Sequence, residues 1–221
     1  KPSSAASDVY KRQGEEVARW LELSRKLGLI AGELLDGAPT SLKVTARGEL
    51  STEQIDSLGL SAVRGLFSGI IDEPVTFVNA PQIAQSRGLE YSVETQTEAR
   101  AHRSALEVQV VSAAGNAVSV TGALTGLEGV EKIVRINGRG VDMRAQGRNL
   151  FFQYTDAPGA LGTVGSKLGN KGINIEAAAL TQASKGDGAI LILRVEAEVP
   201  EALVNEIAQE LGASALQIDL D

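Results

Sequence analysis

The sequence predicts an α+β protein in two units, with helices on a mostly antiparallel sheet followed by a βαββαβ unit. Three observations lead there. The first third spaces its apolar residues as helices do, and the middle is a run of short alternating segments parted by turns. The last stretch, about seventy residues, alternates strand, helix, strand, strand, helix, strand, which is the ferredoxin-like order.

Composition bounds what such a protein does. The chain has 221 residues, 43% of them hydrophobic, enough to build cores. Its formal charge of −7 argues against a nucleic-acid partner, which needs a dominant basic face to displace phosphate counterions. A local cationic pocket is still allowed. With no cysteine there is no disulfide or thiolate metal site, and a reducing cytoplasm is the expected compartment. No apolar run approaches membrane-spanning length and no signal peptide opens the chain, so a soluble protein without a membrane partner is expected.

Residues 1–13 stand apart. Asp8-Val-Tyr-Lys-Arg-Gln13 matches, in frame, the translation of a transposase end used in sequencing libraries. The segment is set aside as a library remnant, with an ordinary polar tail as the alternative. On that reading the natural chain starts further upstream, and these residues are part of a longer protein.

The first element runs over residues 15–35, where Val17, Trp20, Leu21, Leu27, Ala31, Leu34 and Leu35 form a helical stripe that stops near Gly37 and Pro39. "SLKVTARGEL" alternates as a half-buried strand. Ser51 and Gln54 stand in capping-box spacing before a helix carrying Ile55, Leu58, Val63 and Leu66. A short helix follows "NAP", with Pro81 at its start and Gly88 at its stop. "EYSVETQ", "SALEVQVVS", "NAVSVTGAL", "EKIVRI" and "GVDMRA" then read as strands joined by turns such as Asn137-Gly138. Residues 14–146 therefore form one domain and residues 147–221 a second. In the second, "NLFFQYTD" leads through a Gly-rich turn to a helix over about 159–171. Strands "INIEAAALTQA" and "AILILRVEA" follow around the turn "SKGDG", then helix "PEALVNEIAQELG" and strand "ALQIDL".

Catalytic chemistry has little to work with. His102 is the single histidine, and without a positioned partner it reads as structural or surface; Arg103 beside it leaves an anion-binding role open. No G-x-G-x-x-G or G-x-x-x-x-G-K-[ST] occurs, so the glycines after residue 156 do not make a nucleotide loop. No catalytic, cofactor or metal site is assigned. "DAPGALG" offers something smaller. Gly159 lets the backbone approach a ligand, the helix start presents free N–H groups to a carboxylate, and Asp156 can meet an ammonium. An amino acid carries both complements. The alternative is that Asp156 only caps the helix and the glycines only permit close packing.

"YTDAPGALGTVGSKLGNKGINIEAAAL" resembles the start of ACT domains, regulatory modules that bind amino acids. The likeness extends upstream through "SLKVTARGEL", "LSAVRGLFSGIIDEPVTFVNAP" and "KIVRINGRGVDMRAQG", which are similar to the intervening domain of long, actinobacterial-type D-3-phosphoglycerate dehydrogenases. It covers residues 14–221. The resemblance implies that L-serine sits between ACT domains of two subunits and inhibits. Tyr154, Asp156 and Asn174 occupy the contact positions, with Asp156 suited to the ammonium and the amides of Gly159, Ala160 and Leu161 to the carboxylate.

Between residues 132 and 148 lie Lys132, Arg135, Arg139, Arg144 and Arg148 against one acid, Asp142. On a hairpin Lys132 and Arg144 could converge on one phosphate or carboxylate; two solvated strand faces are the alternative. The resemblance implies an anion or allosteric-substrate site here, matched by Lys132, Arg144 and Arg194, with Arg135 and Arg139 weaker candidates.

As a whole, the resemblance implies the regulatory C-terminal part of an enzyme that oxidises 3-phosphoglycerate with NAD in L-serine biosynthesis. NAD and the catalytic residues would belong to domains missing here, leaving this part inactive by itself. Its implied partners are further copies of the chain, through both domains, L-serine, and phosphate or a phosphorylated substrate. The regulatory half of an L-serine dehydratase and a free-standing ACT amino-acid sensor are the alternatives. An RNA-binding ferredoxin-like domain would need aromatics on both central strands, and "AILILRV" has none.

Overall fold

The computed structural model describes residues 4–50, 55–97, 102–156, 158–181 and 188–221, with residues 4–13 described by backbone alone. Contact density divides the chain into compact units over 1–133 and 134–221. Among the described residues no helix is long and apolar enough to cross a membrane.

The chain opens with α1 (Ser4–Leu34), β1 (Pro39–Gly48), α2 (Ile55–Ser68), α3 (Ala80–Ser86) and β2 (Glu90–Gln96). Next come β3 (Ser104–Ser112), β4 (Ala117–Thr125), β5 (Val130–Ile136) and β6 (Arg139–Arg144). The strands form a sheet in the order β2-β1-β3-β4-β5-β6. β1 pairs antiparallel with β3 and parallel with β2, the parallel pair being possible because α2 and α3 carry the chain back between them. Each strand predicted between residues 41 and 145 appears within a residue or two of its expected bounds.

α1 is longer than expected. It continues through residues 4–13, which the sequence reading sets aside. Those residues hold no Pro or Gly, and extending an existing helix costs far less than starting one. The proposed capping box at Ser51 and Gln54 lies outside the described residues, as do 184–187 of the "SKGDG" turn.

The first core explains why α1 is a helix. Trp20, Leu23, Leu27, Ile30 and Ala31 are buried at helical spacing, and α1 packs on β3 and β4, where Leu106, Val108, Val110 and Val120 are buried. α2 packs on β1 and β2 and crosses α1 very closely. Ser24 Oγ donates to the Leu58 carbonyl at 2.7 Å, and Ser61 Oγ donates to the Leu21 carbonyl at 2.6 Å. A Cβ on Gly28 would overlap the Ala62 carbonyl oxygen, and one on Gly65 the Arg25 carbonyl oxygen. Glycine is needed here so that two backbones can touch. Lys26, with its side chain 9% exposed, pairs with Glu131 at 2.7 Å and ties α1 to β5.

Beyond β6, the second unit contains β7 (Arg148–Tyr154), α4 (Ala160–Asn170), β8 (Ile175–Leu180), β9 (Ala189–Val195), α5 (Glu201–Leu211) and β10 (Ser214–Asp219). Its sheet runs β10-β7-β9-β8, antiparallel throughout, which is the ferredoxin-like topology. Leu150, Phe152, Tyr154, Leu191 and Leu193 meet Ala160, Val164, Leu168, Leu203 and Ile207 of the two helices in one core. The opposite side of the same strands is buried too, at Phe151 and its partner Ile192. That is why "AILILRV" reads as a continuous apolar run and not as an alternation.

Candidate functional site

The turn between β7 and α4 is the first candidate. β7 delivers Tyr154 into the core at 6% exposure, and two residues later Asp156 is exposed. Gly159 ends the turn with φ 94°, ψ −8°, a left-handed conformation that a side chain would strain. It is also the N-cap of α4, and among the described residues no side-chain hydrogen bond caps the helix. Among the described residues no hydrogen bond joins Asp156 to the helix start. The first intrahelical bond runs from Thr163 N to the Gly159 carbonyl at 2.9 Å, which leaves the first-turn amides pointing out of the helix. Burial, and secondarily the charge of Asp156, push the Tyr154 hydroxyl above its ordinary pKa, so at neutral pH it is a proton donor. Leu161, on the first turn of α4, is about half exposed.

Asn174 lies elsewhere. In the strand register Ile175 and Arg148 both face Val195, whereas Tyr154 faces Ala189. Asn174 thus stands at the start of β8, at the opposite end of the sheet from Tyr154. Six residues of strand separate the two levels, about 20 Å at ~3.3 Å per residue. One chain does not bring Asp156 and Asn174 together. The backbone of Asn174 is held by Glu196: Asn174 N donates to Glu196 Oε1, and Glu196 N to the Asn174 carbonyl, each at 3.3 Å.

The basic residues are distributed unevenly. Lys132 lies on β5 in the first unit, and Arg135, Arg139, Arg144 and Arg194 lie in the second. Arg144 is exposed on β6. Arg139 donates to the Gly188 carbonyl. Arg194 Nε donates to Glu176 Oε2 at 2.9 Å. The pair borders a hollow of about 510 Å³ that is also lined by Arg148, Glu196, Asp219 and Asp221. Arg148 pairs there with Asp219 at 3.1 Å, and Asp221 Oδ1 accepts from Gly147 N at 2.9 Å. Four carboxylates face two guanidiniums, so the hollow is acidic as it stands. Sequence reasoning had no signal for Glu176. It is the extra residue of a register shift between Ile175 and Ala177, which turns it toward Arg194. His102 is half-buried just before β3, and its neighbour Arg103 is taken by Glu49 at 2.5 Å.

Comparison with known proteins bears on both units. The model of the D-3-phosphoglycerate dehydrogenase intervening domain matches residues 16–137. The chain belongs to the D-3-phosphoglycerate dehydrogenase intervening-domain family. An ACT domain model matches residues 148–212. The D-3-phosphoglycerate dehydrogenase of Mycobacterium tuberculosis H37Rv is 48% identical over 204 residues, which is 92% of this chain and 39% of that protein. The Mycobacterium leprae enzyme is 46% identical over the same coverage, and that of Methanocaldococcus jannaschii 28% over 190 residues. The chain thus spans about two fifths of the length of the mycobacterial relatives it matches. Intervening domain and ACT domain follow one another here as the sequence resemblance implies.

Proposed function

We propose that this chain is the regulatory part of a D-3-phosphoglycerate dehydrogenase, with an intervening domain over residues 14–146 and an ACT domain over 147–221. Oxidation of 3-phosphoglycerate with NAD is assigned to the portion of the relatives that this chain does not cover. The ACT domain binds L-serine, the pathway's product, and the intervening-domain basic cluster takes an anion, phosphate or phosphorylated substrate. One observation carries the serine reading: among the described residues the β7–α4 turn offers, side by side, an exposed carboxylate and a helix start that no side-chain hydrogen bond caps. An amino acid complements both, its ammonium at Asp156 and its carboxylate at the amides of Gly159, Ala160 and Leu161. Tyr154, its pKa raised by burial and then by the charge of nearby Asp156, supplies a hydroxyl donor. Asn174 completes the site only from a second copy of the chain, because within one chain it stands at the far end of the sheet.

Such a site lies between subunits, so serine stabilises one association over others, and that difference in affinity is the regulatory signal. Calorimetric titration of the assembled protein with L-serine tests the reading. Heat of binding is expected for the parent protein and none for Asp156→Ala. Silence at millimolar serine in the parent, with the oligomer intact, removes the serine assignment.

A further inference from the structure

The Arg194 hollow holds a carboxylate where an anion site needs none. Arg194 is only 15% exposed, and its aliphatic stem lies against Gly147, with Cδ 3.3 Å from where a Cβ there would sit. Its position is therefore fixed. Glu176, 44% exposed, covers the Nε edge of the guanidinium at 2.9 Å. The bulge aims it there, for Ala177 pairs with Arg194 and Ile175 with Val195, leaving Glu176 as the unpaired residue between. The other cation of the hollow, Arg148, is held by Asp219, while Glu196 and Asp221 add negative charge and form no ion pair among the described residues.

We propose that Glu176 is a built-in competitor at Arg194, an internal carboxylate that an incoming anion must displace. The inference rests on the reading, implied by the sequence resemblance, that Arg194 belongs to an anion site. A guanidinium takes carboxylate and phosphate through the same planar fork, so Glu176 and an external oxyanion are alternatives for one set of N–H donors. The competition sets which ligands succeed. A monoanion gains little by exchanging with Glu176, whereas a phosphate dianion offers more charge and three acceptor oxygens. The residue thus tunes the site toward phosphate-bearing ligands and keeps it closed to ordinary carboxylates. It also places the exchange two residues from Asn174, since the displaced carboxylate belongs to the bulge that opens β8.

The test compares the parent chain, Glu176→Gln and Arg194→Gln, each checked for fold by circular dichroism, in calorimetric titrations with inorganic phosphate and with acetate. Removing the internal carboxylate while keeping its shape is expected to tighten phosphate about tenfold or more, by the loss of one like charge near the ligand. Acetate binding should become detectable in the same variant, and Arg194→Gln should bind neither ligand. Phosphate binding to Glu176→Gln alone, dependent on Arg194, also supports the proposal. If the parent binds phosphate through Arg194 and Glu176→Gln binds with unchanged affinity, Glu176 is not a competitor, and the anion site stands without it. If Glu176→Gln binds no phosphate at all, the proposal and the anion reading of Arg194 both fall.

Discussion

Replacing Gly65 by alanine sets two physical effects against each other. Gly65 lies inside α2 with helical backbone, and on propensity alone the change adds about 1 kcal/mol of stability. Packing opposes it. The new Cβ would overlap the Arg25 carbonyl oxygen and sit 2.9 Å from Leu29 N, both backbone atoms of α1 that no rotamer change can move. α1 and α2 must part, and a shift of about 1 Å would carry the Ser24–Leu58 and Ser61–Leu21 bonds beyond hydrogen-bonding range. Overpacking of this kind costs about 3 kcal/mol, and each lost bond about 1 more. With partial relaxation and the propensity gain, the net loss is about 2–3 kcal/mol, roughly a 6–10 °C fall in the midpoint of the first unit. Trp20, the single tryptophan and buried on α1, reports that unit by fluorescence. Gly165→Ala in α4, where a Cβ meets nothing within 4 Å, should instead raise the midpoint of the second unit. A Gly65→Ala midpoint at or above that of the parent would refute the close-contact argument.

Glu33, half-buried on α1, has its carboxyl pushed above the usual range by burial. The folded state then holds that proton more tightly than the unfolded chain, so the stabilising contribution is complete below the ordinary glutamate range. It is lost as pH rises through the raised value. Glu33→Gln should therefore gain on the parent between pH 4 and pH 7 in thermal melts, and a constant difference across that window would count against the assignment. Asp156→Ala should leave the melting temperature within about 1 °C, because an exposed residue that makes no capping bond among the described residues contributes little. A fall of several degrees would return Asp156 to a structural role.

Much of this structure was legible because its elements follow local rules. The stripe from Trp20 to Ala31 has the helical period, and Asn137-Gly138, with both φ positive, is the hairpin turn its dipeptide announces. The βαββαβ order was readable because each strand of the second unit is bounded by turn residues. Long-range facts were not. Nothing in "SAVRGLFSG" says that Gly65 touches Arg25, since that contact joins residues forty positions apart. The bulge at Glu176 is invisible for the same reason: it exists only in the pairing of β8 with β9. Arg194 could be picked out as a cation from sequence, but its internal counter-ion could not. The start of α1 was missed because the origin of a segment says nothing about whether a helix will run through it.

The separation of Asp156 from Asn174 within one chain gives the serine reading its sharpest test. If each site takes Asp156 from one subunit and Asn174 from another, Asp156→Ala chains have no complete site, and neither do Asn174→Ala chains. Mixing the two variants changes this. In a mixed dimer one site carries both substitutions and the other carries none, so one site is whole. Random 1:1 reassociation makes half the dimers mixed, and serine capacity returns to about a quarter of the parent value. The result is read by calorimetry after unfolding and co-refolding, with each variant alone as the baseline. A site contained in one chain cannot be rescued this way, because every chain in the mixture carries a defect. If two copies pair along edge strand β8, where Ala178 and Leu180 are exposed, Asn174 of one reaches the β7–α4 turn of the other. Recovered binding would therefore establish the shared site and the association together, and no recovery after verified exchange would place serine, if it binds, within a single subunit.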